Sequence, residues 1–139
     1  MARQHLIRAI LSKEGSWPLP NRSPLDPLPL PVAQLHILLA LVTGDKHGYA
    51  IMREVEALTD GAVTMGPGTL YGAVKKMLKS ELVEESDERP DPELDDQRRR
   101  YYRITAFGKR VLDAEINRME QLAHAARLIQ TTAMRRPSA

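Results

Sequence analysis

The chain has 139 residues, a net charge of +2, an isoelectric point near 9.0 and no cysteine. That length allows one domain with tails, and the cysteine count excludes disulfides, thiolate catalysis and cysteine-ligated zinc while suiting a reducing, cytoplasmic setting. The longest apolar run, near Val32–Val42, is broken by Gln34 and His36 and is too short to span a bilayer, and no small-residue cleavage site follows the basic residues 1–14.

Residues 1–14 can form a short amphipathic helix with Leu6, Ile7, Ile10 and Leu11 on one side. Its Arg3, Arg8 and Lys13 suit either an arm on an anionic partner or a helix packed on a second subunit. Residues 15–31 carry Gly15 and six prolines, which bars a helix or a central strand and predicts an extended linker, with Trp17 inside it. The domain boundary is placed near Pro31.

The first core helix is expected over about Val32–Thr43 and is apolar nearly all round, as a buried helix is. A second runs from near Gly48 to about Leu58, with Tyr49, Met52, Val55 and Leu58 at three-residue steps. After Gly66-Pro67-Gly68 a third begins, with Thr69 as its expected cap. Leu70, Val74, Met77 and Leu78 line its apolar side, and Tyr71, Lys75, Lys76 and Lys79 the other. Two strands, Leu82–Glu85 and Arg99–Thr105, predict a hairpin with a long charged tip. In the second, Tyr102 and Ile104 share one face, and Tyr101 and Arg103 the other.

The last helix is expected from Ala106 to about Gln130, followed by a tail over 131–139. Leu112, Ile116, Met119, Ala123 and Ala126 alternate by four and three residues, a heptad seam that Leu122 and Ile129 widen. Three short helices cannot hide so long a face; a second copy can, although a helix folded back on its own domain is the alternative.

Charge is distributed unevenly. Glu84–Asp96 holds eight acids and one base, whereas Gln97–Arg110 holds six bases and no acid. Such asymmetry creates a local positive surface, or simply two solvated loops of opposite sign. Fold class is therefore mainly α with a small β-hairpin: a winged helix-turn-helix over 32–105 and a dimerisation helix over 106–130. A helix with an apolar back and a basic front fits a DNA major groove, and a basic hairpin beside it reaches phosphates.

Candidate DNA-binding residues are Thr69, Tyr71, Lys75 and Lys76 on the third helix and Arg98, Arg99 and Arg100 at the hairpin base. The alternatives are a solvated face, a core-packed Tyr71, and pairing of the arginines with Glu93, Asp95 and Asp96. Candidate dimer contacts are Leu112, Ile116, Met119, Leu122, Ala123 and Ala126. His47-Gly48-Tyr49 reads as a helix start with close backbone approach at Gly48, since Asp45 and His47 lack a third metal ligand. Gly66-Pro67-Gly68-Thr69 lacks the ending of a nucleotide loop. The four histidines are scattered, so no metal, cofactor or catalytic centre is called for.

Taken in order, His36–Leu41, His47-Gly48-Tyr49, Gly68-Thr69-Leu70-Tyr71 and Arg100-Tyr101-Tyr102-Arg103-Ile104-Thr105-Ala106-Phe107-Gly108 resemble the PadR family of transcriptional regulators over roughly residues 33–125. The resemblance implies a winged-helix fold, a dimer through the C-terminal helix, repression of nearby genes and no enzymatic activity. It also implies that an aromatic effector can sit between subunits, although residues 108–139 supply no aromatic side chain. The Pro-rich extension and the long acidic loop depart from the family pattern. Two other readings stand beside this one: a winged-helix protein-interaction module that does not bind DNA specifically, and a regulator whose main task is sensing an aromatic ligand.

Overall fold

A computed structural model of the chain describes residues 22–87 and 99–135. The expected helix over 1–14, the first part of the Pro-rich linker with Trp17, the acidic loop with Arg98, and the last four residues lie outside them. The described elements are α1 (Val32–Leu41), β1 (Lys46–His47), α2 (Gly48–Leu58), α3 (Pro67–Lys79), β2 (Val83–Ser86), β3 (Tyr101–Ile104) and α4 (Ala106–Arg135). The strands form one antiparallel sheet in the order β1–β3–β2.

α1 stops at Leu41, two residues short of the expected end, because the chain turns through Val42 and Thr43 into Gly44, whose φ is +150°. Ile37, Leu38, Ala40 and Leu41 are buried, and α2 and α3 pack on this helix. α2 has the expected bounds. His47 caps it, Nδ1 accepting from the Ala50 amide at 3.2 Å. At its far end Gly61, with φ +80°, sends its amide back to the Glu56 carbonyl at 2.8 Å.

α3 corrects one expectation. Its N-cap is Gly66 and its first residue Pro67, so Thr69 lies inside the first turn and caps nothing. Proline is suited to that position because the amide it lacks has no partner in a first turn. Leu70, Val74 and Met77 point inward and are buried. β1 is the element the sequence did not reveal: two residues, Lys46 and His47, pair with Tyr102 and Tyr101. Tyr101, on the opposite face of β3 from Tyr102, is therefore buried as well, with the His47 ring edge-on at 5.3 Å.

The hairpin is fastened to α4 at a tight junction. Thr105 caps the helix, its hydroxyl accepting from the Gly108 amide at 2.9 Å while donating to the Glu81 carbonyl at 2.6 Å. A side chain on Gly108 would lie 3.1 Å from the Leu82 carbonyl carbon and 3.0 Å from Ile104, so glycine is required there. On the other side the segment 22–31 straps the domain. The Arg22 guanidinium lies over the Phe107 ring at 4.7 Å and donates to the Ser80 carbonyl at 2.7 Å. The Leu30 amide donates to Glu115 at 2.7 Å, and Glu115, fully buried, also accepts from Arg118.

The Arg118 hydrogen bond, with help from the Leu30 amide, holds the Glu115 carboxyl below its ordinary range despite burial. A carboxylate with a depressed folded-state pKa stabilises the fold above its unfolded pKa and loses that contribution as pH falls through the folded value. Glu115→Ala should lower unfolding free energy by about 2 kcal/mol at neutral pH, because hydrogen bonds to a charged group are broken and the Leu30 amide is stranded. Urea melts from pH 7 to pH 3 should show the gap between natural and variant protein narrowing on the acid side; a constant gap would exclude the charged latch.

Candidate nucleic-acid interface

With its inner side fixed by Leu70, Val74 and Met77, α3 turns Thr69, Tyr71, Lys75, Lys76 and Lys79 outward, all exposed. Among the described residues none of the three lysines makes an ion pair. Tyr71 stands between the two readings given for it: its side chain remains half exposed, yet its ring rests on α2. A side chain on Gly48 would fall 2.8 Å from Tyr71 Cζ and 3.0 Å from Leu70 Cδ2. Gly48 is the close approach expected of it, and that approach sets where the Tyr71 hydroxyl stands.

Beside Tyr71 opens a notch of about 330 Å3 between the start of α2 and the base of the hairpin, lined by His47, Tyr49, Tyr71, Arg99, Arg100 and Tyr102. Burial raises the Tyr102 phenol above its ordinary pKa, so it stays a hydroxyl donor. His47 Nδ1 accepts from the Ala50 amide, which leaves the ring proton of the neutral form on Nε2. That nitrogen lies 3.2 Å from Arg99 Nη1. The Arg100 guanidinium and the phenol hydroxyls of Tyr71 and Tyr102 line the same notch, groups that suit an anionic oxygen. The Tyr49 ring, half exposed, carries the Arg53 guanidinium at 5.9 Å.

The hairpin arginines are placed unequally. Arg100 pairs with Glu85 at 3.4 Å and Arg103 with Glu84 at 3.0 Å, both across the β2–β3 ladder and both exposed. Pairs so open to water contribute little stability and are readily exchanged for a phosphate. Arg98 lies outside the described residues, as do Glu93, Asp95 and Asp96, the acids expected to compete for the arginines. Asp45 accepts from Ser86 Oγ and thereby ties the loop before β1 to the end of β2.

On α4 the six seam residues divide. Leu112 is buried in the core of its own chain and Ile116 packs against that core, so neither has much surface left to offer a partner. Met119 is half-buried, whereas Leu122, Ala123 and Ala126 are exposed. From Gln121 to Arg135 every residue is exposed, a free helical rod about 22 Å long at 1.5 Å per residue. Leu122 and Ile129, both more than half exposed, continue into that rod the side that Leu112 and Met119 occupy nearer the domain.

Residues 37–114, more than half of the chain, match the model of the transcriptional regulator PadR-like family. The chain belongs to the PadR-like family. Two curated relatives are similar in sequence. An uncharacterised 37.1 kDa protein of transposon Tn4556 from Streptomyces fradiae is 33% identical over 91 residues, 66% of this chain, and protein X of Lysinibacillus sphaericus is 32% identical over 76 residues, 55% of this chain. The chain spans 24% of the length of the first and 67% of the second.

Among solved structures, a transcriptional regulator from Clostridium thermocellum superposes with a TM-score of 0.57 at 25% identity, over 68% of this chain and 86% of that one. RosR of H. salinarum gives 0.51 at 27%, over 78% and 94%. A PadR family regulator from Clostridium difficile gives 0.57 at 22%, over 70% and 97%, and shares the fold. PadR-like proteins are transcription regulators, not enzymes. Among the described residues no group of three metal-ligating side chains converges, and no helix is long and apolar enough to cross a membrane.

The place of His47 and Tyr49 in the notch was not foreseen, because the His-Gly-Tyr motif reads in sequence only as a helix start. The signal available was the basic hairpin base, which in this fold returns beside that motif through β1. Gly48→Ala should destabilise the domain by about 1–3 kcal/mol through overpacking against Tyr71. Adding Tyr71→Ala should recover part of that loss. A double-mutant cycle measured by thermal melts checks this; strict additivity would show that the two positions do not collide.

Proposed function

We propose that the protein acts as a homodimer that represses transcription by setting two α3 helices in successive major grooves of a near-palindromic operator, roughly 34 Å apart. The observation that carries the proposal is the outward cationic side of α3, whose lysines make no ion pair among the described residues, beside a notch lined by arginines and tyrosines. Thr69, Tyr71, Lys75 and Lys76 contact bases and flanking phosphates. The notch, with Arg99 and Arg100, receives one phosphate, and Arg98, their neighbour in sequence, is a further candidate phosphate contact. Counterion release then supplies much of the affinity.

The exposed rod of α4 supports the dimer. Its apolar stripe through Leu122, Ala123, Ala126 and Ile129 is unsuited to water and matches a second copy of itself. The described residues of α4 beyond Phe107 carry no aromatic side chain, so nothing here favours an aromatic effector between subunits.

A gel shift on the DNA upstream of the protein's own reading frame should give a discrete band that survives random competitor. For Lys75→Ala/Lys76→Ala, the slope of log affinity against log salt should fall by about 1.8, near 0.9 for each phosphate that is no longer neutralised. An unchanged slope would favour a protein-interaction module instead. Leu122→Glu/Ile129→Glu should convert the dimer to monomer in sedimentation experiments while leaving the helical spectrum of the domain intact; a dimer that survives both charges would remove α4 as its seam.

A further inference from the structure

A glycine in the middle of α3 serves no purpose inside the fold. Gly72 lies well within Pro67–Lys79, so it neither caps nor ends the helix. Its φ is not among the positive values, which among the described glycines fall at Gly44 and Gly61. A Cβ built there meets nothing within 4 Å. Both other reasons for glycine in this chain, close packing as at Gly48 and Gly108 and a left-handed turn as at Gly61, are thus absent. Glycine inside a helix costs stability relative to alanine.

Its place on the helix is specific. Leu70, Val74 and Met77 define the buried side, and Gly72 is diametrically opposite, on the line that continues to Lys75 and Lys79 at the i+3 and i+7 positions. Thr69 and Tyr71 stand to either side. A helix clad in side chains is about 10–12 Å across, close to the roughly 12 Å width of the major groove, whereas its bare Cα cylinder has a radius of only about 2.3 Å. A missing side chain at the centre of the outward face lets the N-terminal half of the helix sink toward the groove floor. The lysines farther along are long enough to span the wider gap to the strands.

We infer that Gly72 is a specificity-determining position, the point where the backbone of α3 meets base-pair edges and sets how deep Thr69, Tyr71 and Lys75 reach. The inference rests on the DNA-binding reading above. A methyl group at Gly72 holds the helix off the bases without touching its phosphate contacts, so it weakens recognition of sequence and spares general attraction to DNA.

Full-length natural protein and Gly72→Ala would be compared by thermal melting and by competitive gel shift. The probe is a duplex that the natural protein selects from a random-sequence pool, and the competitor is unselected DNA. The variant should melt roughly 4–8 °C higher. It should bind the selected duplex about tenfold more weakly, as for one mismatched base pair, and bind unselected DNA as before. Equal affinity for the selected duplex overturns the inference, as does a lower melting temperature, which would show the glycine serving the fold. If the natural protein enriches no sequence, the DNA-binding reading itself fails and this one with it, an outcome distinct from both.

Discussion

The inward side of α3 is the constraint on which the rest of the molecule depends. Leu70, Val74 and Met77 are closed off from water against α1 and α2, and a close-packed interior allows them few alternative seats. Once they are placed, the helix cannot roll about its axis, and the outward direction of Lys75, Lys76 and Gly72 is settled with no contribution from those residues themselves. The outward side chains are here positioned by three that face inward. The same logic extends to Tyr71, whose ring is seated where the absence of a side chain at Gly48 leaves room for it.

A second layer of fixation comes from segments flanking α3. Arg22 grips the carbonyl of Ser80 at the end of α3, and the strap that carries it is anchored through Leu30 to Glu115 on α4. Glu81 takes up a left-handed conformation, φ +63°, so that the chain can leave α3 and enter the hairpin without a linker. Its carbonyl is at once held by Thr105. Helix, hairpin and strap therefore form one mechanical unit, and the two walls of the donor-lined notch keep their spacing.

Much of this was legible in the residues. The periodicity of Leu70, Val74 and Met77 announces both a helix and its inward side, and α2 begins and ends where Gly48 and Leu58 suggest. Thr69 misled because a threonine near a helix start is a strong capping signal, yet Pro67 two residues earlier is an equally strong first-turn signal and prevailed. β1 escaped notice because two residues have no period to read; only the return of Tyr101 and Tyr102 beside Lys46 and His47 makes them a strand. That long-range pairing also hid the place of His47 in the notch, and the division of the seam between core and solvent depends on where α4 leaves the domain, which spacing alone does not specify.

α4 runs without interruption from Thr105, locked to the hairpin, to Arg135, a length of about 45 Å. Gearing follows from that continuity. In the proposed dimer, a rotation of about 6° at the far end of such a rod displaces the near end by about 4.7 Å, more than the roughly 3.4 Å between successive base pairs. In that dimer, small changes in the crossing angle of two seams would be amplified into a change of DNA register, and the free half of the helix would act as a tiller as much as a clasp.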